Sequence, residues 1–277
     1  MVFADLLRHS RQQGVPLVAV HRGTHAGLVQ PNTVAAAWAA VASGGDIVEL
    51  DVARSADGVY YMFHDGYEKP LLGSDRSILE MTSEEIDVLE YAVHEGRGCG
   101  HVERTRDVVA ALRGIPLNID RSWRYWGDGF LEQLAQWGNV ENLIVKCRAL
   151  EPFVSQLGAC TIPFPFIPNV RSRQELDLVL AAEGVNLVGL ELIATHPGDD
   201  LADADLFAEL ADKGLAIWVN TINLESGIPR FQGLDDQVSV FSDPDEGWGR
   251  LPDYHVDIIQ TDWPWLAKSY FQQRKAR

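Results

Sequence analysis

Glu49 and Asp51 stand two positions apart in the run Asp46-Ile-Val-Glu-Leu-Asp-Val52. Val48, Leu50 and Val52 alternate with Ile47, Glu49 and Asp51, which is the period of a strand. Both carboxylates then point to one face, roughly 6.5–7 Å apart along the strand. Two carboxylates held side by side among apolar neighbours repel each other. Either one stays protonated or a cation sits between them. Past the turn Ala56-Asp57-Gly58, a second apolar run, Val59 to Phe63, ends on His64-Asp65. His64 adds a proton carrier at the mouth of that run. The plainer reading is an acidic patch on an exposed strand, since charged side chains are mostly solvated.

Composition narrows what such a site could serve. The 277 residues are 46% hydrophobic, enough for a large core and for one big α/β domain. A formal net charge of -17 repels polyanions, so no nucleic-acid partner is expected and an anionic membrane surface is disfavoured. A small molecule or a metal ion fits better. Cys99, Cys147 and Cys160 show no short metal-ligand spacing, and three cysteines suit a reducing compartment. Met1 to Pro16 lacks the apolar core of a signal peptide, and no run approaches the length of a membrane helix. A cytoplasmic location is expected; the oligomeric state is left open.

The elements that must hold the site alternate along the chain. Strands are expected at Leu17–Val20, Ile47–Val52, Val59–Phe63, Ile115–Asp120, Glu141–Lys146, Ala159–Ile162 (weakly), Asn186–Ile193, Leu215–Thr221 and Val256–Gln260. Helices are expected at Thr33–Ala42, Thr105–Leu112, Gly129–Trp137, Ala149–Leu157, Ser172–Ala182, Ala202–Lys213 and Trp263–Phe271. Gly66–Gly100 reads as a loop-rich insertion with a helix start at Thr82 or Ser83. Asn223–Tyr254 reads as a long polar loop. Alternation of this kind means parallel strands joined by helices, and about eight repeats in roughly 250 residues is the size of a (β/α)8 TIM barrel. No Gly-x-Gly-x-x-Gly follows the first strand, which counts against a dinucleotide-binding sheet. No linker divides the chain, so one domain, 1–277, is expected.

A barrel carries its site at the C-terminal strand ends. Those ends supply His21 and Arg22, Glu49 and Asp51, His64, Asp120, Lys146, Glu191, Trp218 and Asn220, then Thr261 and Asp262. Each alone could be a cap or a loop hydrogen bond. The recurrence at nearly every strand end is what points to a site.

Several of these segments fall in a known order. His21-Arg22-Gly23, Pro31-Asn32-Thr33, Glu49-Leu50-Asp51-Val52, Asp57-Gly58 and His64-Asp65 resemble the N-terminal signature of glycerophosphodiester phosphodiesterases. Met81-Thr82-x-x-Glu85, Leu117-Asn118-Ile119-Asp120 and Thr261-Asp262-x-Pro264 resemble later motifs of that family. The resemblance implies a TIM barrel, a divalent cation on Glu49, Asp51 and Asp120, and His21 and His64 as the general acid–base pair. The cation would be Mg²⁺ or Ca²⁺, because three carboxylates suit hard cations better than zinc. Arg22, Lys146, Glu191 and Asn220 are the candidate phosphate and substrate residues, and a small phosphodiester is the expected partner.

The chain also departs from the family pattern. Gln30 stands where the family has Glu, Asp120 where it has Glu, and Ser122 where it has a phosphate-contacting Lys. Lys146 is expected to take over that role, with Arg121 or Arg124 as substitutes. Lys146 shares a strand face with Ile144, which aims it into the barrel mouth if Ile144 is a core residue. Hydrolysis of a glycerophosphodiester is the expected activity. The alternatives are a sphingomyelinase D-like transfer giving a cyclic phosphate, a sugar-phosphodiester hydrolase, and a binding protein without turnover.

Overall fold

The computed structural model describes residues 1–92 and 99–276. Its strands are β1 (Leu17–Val20), β2 (Ile47–Arg54), β3 (Tyr60–Met62), β4 (Leu117–Asp120), β5 (Leu143–Val145), β6 (Pro165–Phe166), β7 (Asn169–Val170), β8 (Asn186–Leu187), β9 (Gly189–Leu192), β10 (Ala216–Asn220) and β11 (Ile258–Thr261). All pairs are parallel except the β2–β3 hairpin.

The parallel strands close into a TIM barrel of eight staves. β11 pairs with β1, then β1 with β2, β2 with β4, and β4 with β5. On the other side β11 pairs with β10, and β10 with β9. Closure falls on the Pro165–Val170 stave, which is β6 and β7 broken at Pro168. It takes Ile167 N–H and Asn169 N–H to the carbonyls of Val145 and Cys147 on one side. On the other side, Val188, Glu191 and Ile193 donate to the carbonyls of Phe166, Pro168 and Val170. The register steps by one residue between Phe166↔Leu187 and Asn169↔Glu191, so the β8–β9 stave carries a bulge there.

Four expectations change. The fifth stave lies at 165–170 and not at Ala159–Ile162; its prolines, which cannot donate to a ladder, disguise it as loop. The run Val59–Phe63 is no barrel stave but the return arm of a hairpin, with Val52 opposite Met62. The Asn223–Tyr254 loop contains a helix, Asp236–Phe241, and a 3₁₀ segment, Trp248–Tyr254. The helix expected from Ala149 begins only at Phe153.

A helix that no pattern flagged, Phe3–Gln13, caps the floor. Its Phe3 and Leu7 pack with Leu17, Ala19, Ile47, Ile144, Ile167, Ala216, Trp218 and Ile258, the apolar layer inside the barrel. Outward residues such as Val18, Val48, Leu50 and Val52 pack under the helices. The insertion 66–100 holds a helix start capped by Thr82, with Glu85 reaching back to close a capping box. Its Ile78, Met81, Ile86 and Tyr91 bury against Ala53, Tyr61 and Phe63 of the hairpin. Residues 93–98 of this insertion lie outside the described residues.

Asp236 fastens the last loop to the mouth. Its buried carboxylate accepts from Thr221 Oγ1 at 2.6 Å, Thr261 Oγ1 at 2.8 Å, Trp248 Nε1 at 3.0 Å and the Asp262 N–H at 3.0 Å. Replacing it by Ala leaves those donors facing a cavity. Each orphaned buried group costs about 1–3 kcal/mol, so Asp236→Ala should lose several kcal/mol in urea unfolding. A midpoint unchanged from wild type would show that water or a shifted loop replaces the carboxylate.

Candidate active site

The mouth is built from strand ends in two tiers above the apolar layer. Phase along each strand decides which side chains face inward. Ile47, Glu49 and Asp51 share one face of β2, so the apolar floor turns acidic one step up and again two steps up. On β5 the same phase carries Ile144 to Lys146. Ile144 is indeed an interior core residue, and Lys146 points into the mouth with 1% exposure.

The acids come together. Glu49, Asp51 and Asp120 each offer an oxygen, all within 4.8 Å of one another. Register explains this, because Asp51 lies directly opposite Asp120 on β4. Glu49 and Asp51 are buried, and burial together with the charge of Asp51 pushes the Glu49 carboxyl up to about 8. A cluster in that condition fits a bound cation. The oxygens around a hard divalent ion sit about 2.0–2.6 Å from it, hence up to about 4–5 Å from one another.

Part of the charge is met by the protein. Arg22 donates its backbone N–H to Glu49 Oε2 at 2.9 Å, and its Nε lies 2.9 Å from Asp51 Oδ2. Asn32 holds Asp51 twice: its Oδ1 accepts the Asp51 N–H at 2.9 Å, and its Nδ2 donates to Asp51 Oδ2 at 3.3 Å. Arg22, Asn32 and Arg121 all have φ near +60°. Three non-glycine residues in the left-handed region at one mouth are backbone strain held in place by the site's own bonds. Gly23 answers a different need, since a Cβ there would meet the Ala36 backbone at 2.7 Å.

Both histidines have Nδ1 engaged. His21 Nδ1 lies 2.9 Å from Asp262 Oδ1, and His64 Nδ1 donates to the Asp65 carbonyl at 2.8 Å. That leaves His21 Nε2 for the mouth, whereas His64 Nε2 is already met by Arg121. Burial opposes a charged His21, but the Asp262 bond and the charges of Glu49 and Asp262 outweigh it, so its pKa lies above the ordinary value. His64 lies below it, through burial and the charges of Arg22 and Arg121. Arg121 Nη1 sits 3.2 Å from His64 Nε2, and its fork is held by Asp65.

The other candidates sit deeper or to one side. Lys146 Nζ contacts Glu191 Oε2 at 2.7 Å and Asp120 Oδ2 at 3.6 Å, with the Trp218 ring 5.2 Å away. Burial disfavours the ammonium, but Glu191, Asp120 and Glu49 hold it charged. Glu191, fully buried, also accepts from Asn169 at 3.0 Å and Asn220 at 3.3 Å, so it orders its neighbours. Ser122 is buried, its hydroxyl donating to the Ile119 carbonyl, and does not reach the mouth. Arg121 does line the mouth, whereas Arg124 pairs with Asp65.

The cavity holds about 220 Å³ and joins these groups with Trp123, Asn169, Arg171, Arg230 and Gln260. Sequence reasoning missed Asn169 and Arg171 because their stave was read as loop. It missed Arg230 because that residue sits in the long loop without a motif. Asp262 stood among the strand ends, but its bond to His21 carried no sequence signal.

Residues 21–125 match the profile of the Glycerophosphoryl diester phosphodiesterase family. The match covers less than half of the chain. The later part of the chain, residues 164–271, matches a domain of unknown function. A glycerophosphodiester phosphodiesterase from Agrobacterium tumefaciens aligns with TM-score 0.61 and 22% identity, over 92% of this chain and 100% of that one. A glycerophosphoryl diester phosphodiesterase from Parabacteroides distasonis gives 0.68 and 15%, over 94% and 87%. An Oleispira antarctica phosphodiesterase, solved with the product sn-glycerol-3-phosphate, gives 0.67 and 19%, over 95% and 98%. No curated protein matches the chain significantly. The phosphodiesterase match takes in both histidines, the three acids, Arg22 and Arg121, while Glu191, Asn220, Arg171 and Arg230 fall in the other. No helix among the described residues is long and apolar enough to cross a membrane.

The Lys146–Glu191 pair gives a stability test. Lys146→Met leaves a buried carboxylate without its main partner and should cost about 3–5 kcal/mol. Adding Glu191→Leu should recover much of that loss. A single mutant as stable as wild type in a urea titration would mean that Glu191 takes up a proton or finds Arg230 instead.

Proposed function

We propose that this protein hydrolyses a small glycerophosphodiester to sn-glycerol 3-phosphate and an alcohol, using one divalent cation, Mg²⁺ or Ca²⁺, held by Glu49, Asp51 and Asp120. The observation that carries the reading is the triplet of carboxylates within 4.8 Å, with His21 and His64 at the same mouth. The Oleispira phosphodiesterase with bound sn-glycerol-3-phosphate supports the product assignment. When bound, the cation supplies Lewis-acid neutralisation of charge on a phosphate oxygen.

The rest falls to the chain's own groups. Arg22 and Arg121 present guanidinium donors to the remaining non-bridging oxygen. Lys146 adds a positive charge from below, already shared with Asp120 and Glu191. His64, held neutral with its Nδ1–H on a carbonyl, takes a proton at Nε2 from the attacking water once Arg121 Nη1 turns from that nitrogen to the phosphate. His21, held protonated by Asp262, gives one at Nε2 to the leaving alkoxide. Asp262 fixes the ring as a carboxylate behind a catalytic histidine does.

Metal removal is the direct check. EDTA should abolish diesterase activity, and Mg²⁺ or Ca²⁺ should restore it, with release of sn-glycerol 3-phosphate as the readout. Full turnover in a verified metal-free sample would sink the role of the carboxylates.

The histidines should show in rate and pH dependence. His21→Ala and His64→Ala should each cost about 10²–10⁴-fold in kcat with the fold intact. The base must be unprotonated, so activity rises with pH through a His64 pKa below its ordinary value. The acid must be protonated, so activity falls as pH passes a His21 pKa above its ordinary value. Asp262→Asn should move the falling limb to lower pH and leave the rising limb in place. A shift of the rising limb instead would exchange the two roles.

A further inference from the structure

Two arginines at the mouth have no work in the chemistry just described. Arg171 follows Val170 at the end of β7, and Arg230 descends from the loop after β10. Both line the same cavity as the acid cluster. Arg230 is fixed in place: Ala194 N–H donates to its carbonyl at 3.0 Å, and its guanidinium lies 3.5 Å from Glu191 Oε1. Its Nε is buried without an acceptor among the described residues. Arg171 is exposed and its guanidinium forms no ion pair with a described carboxylate; Arg230 and Arg148 act against its charge, Glu191 and Glu175 for it, and its backbone N–H donates to Glu175 Oε2 at 2.7 Å.

The charges on this side of the mouth do not cancel. Lys146, Arg171 and Arg230 face the one carboxylate of Glu191, which Lys146 already holds at 2.7 Å. Glu175 pairs with the Arg148 guanidinium at 3.1 Å, which leaves that of Arg171 without an ion-pair partner of its own among the described residues. Lys146 also leans towards Asp120, which belongs to the acid cluster. In a chain with net charge -17, an excess of guanidinium beside the scissile site is a local reversal of sign. Like charges placed together without a partner cost free energy unless an anion joins them.

We propose that Arg171 and Arg230 form a second anion subsite, so that the preferred diester carries a further negative group, a carboxylate or a phosphate, on its alcohol. This deepens the diesterase reading and rests on it. A guanidinium fork suits either group, because both offer two oxygens to parallel N–H donors. The subsite works against alcohols that end in a cation without a neighbouring anion.

Matched substrates test it. Glycerophosphoserine adds a carboxylate to glycerophosphoethanolamine, and glycerophosphoinositol 4-phosphate adds a phosphate to glycerophosphoinositol. The charged member of at least one pair should have a kcat/KM about tenfold above its mate, carried mostly by KM, as one charge-assisted contact implies. The pair that shows it identifies the anion. In Arg171→Met the ratio should fall towards one, and Arg171→Lys should keep part of it. Arg171 is exposed, so neither variant threatens the fold. Equal kcat/KM within both pairs, or a ratio unchanged in Arg171→Met, would overturn the subsite while leaving the diesterase standing. If wild type turns over none of the four compounds, the diesterase reading fails. Calorimetric binding of the same pairs then decides the subsite alone: tighter binding of a charged member, lost in Arg171→Met, supports it, and equal binding overturns it.

Discussion

Repulsion among Glu49, Asp51 and Asp120 is the constraint around which the mouth is arranged. Three carboxylates within 4.8 Å, two of them buried, are unfavourable unless positive charge or donors surround them. The chain supplies both from the backbone and from side chains. Arg22 turns into the left-handed region and its N–H meets Glu49, while Asn32, also left-handed, holds Asp51 from two directions. Those strained residues sit at the ends of short connections where no regular structure competes for their hydrogen bonds. The cluster and its strain therefore support each other: either one alone would relax.

Charge in the barrel is layered. The floor is apolar, closed by Phe3 and Leu7, and one residue pair higher the interior turns ionic with Glu49, Lys146 and Glu191. Lys146 ties the acid cluster to Glu191, which in turn orders Asn169, Asn220 and Arg230. The two halves of the mouth are thus joined by one buried ammonium. On the other flank, Asp236 ties Thr221, Thr261 and the Asp262 N–H together, and Asp262 holds His21. A residue at the start of the helix Asp236–Phe241 in this way orients a proposed catalytic ring that it never touches.

Much of this could be read in advance where local pattern and function coincide. The period-two run at Ile47–Val52 placed Glu49 and Asp51 on one face, and the Ile144–Lys146 phase placed the lysine inside. The Thr82–Glu85 capping box is a wholly local signal and survives in the fold. The fifth stave was illegible because Pro165 and Pro168 speak against a strand locally, whereas closure of the barrel demands one there. Arg171 and Asn169 were lost with it. The helix Phe3–Gln13 was also missed, because its apolar face has meaning only against the floor it covers. Arg230 and the Asp262–His21 bond depend on contacts between segments far apart in sequence, and no single stretch encodes them.

That floor helix has an architectural consequence. Phe3 N–H is bound by Asn142 Oδ1 at 3.0 Å, and at the other end of the chain Lys275 Nζ reaches Gln13 Oε1 at 2.5 Å. The helix Pro264–Lys275 starts at the mouth, after β11, and runs down the wall, so both described ends of the chain meet beneath the barrel. Whatever is joined to either end hangs from the face opposite the chemistry. A fusion partner or a surface tether would leave the opening turned to solvent. The nearness of the two ends also suits the barrel to circular permutation, with a short linker under the floor and new ends cut elsewhere.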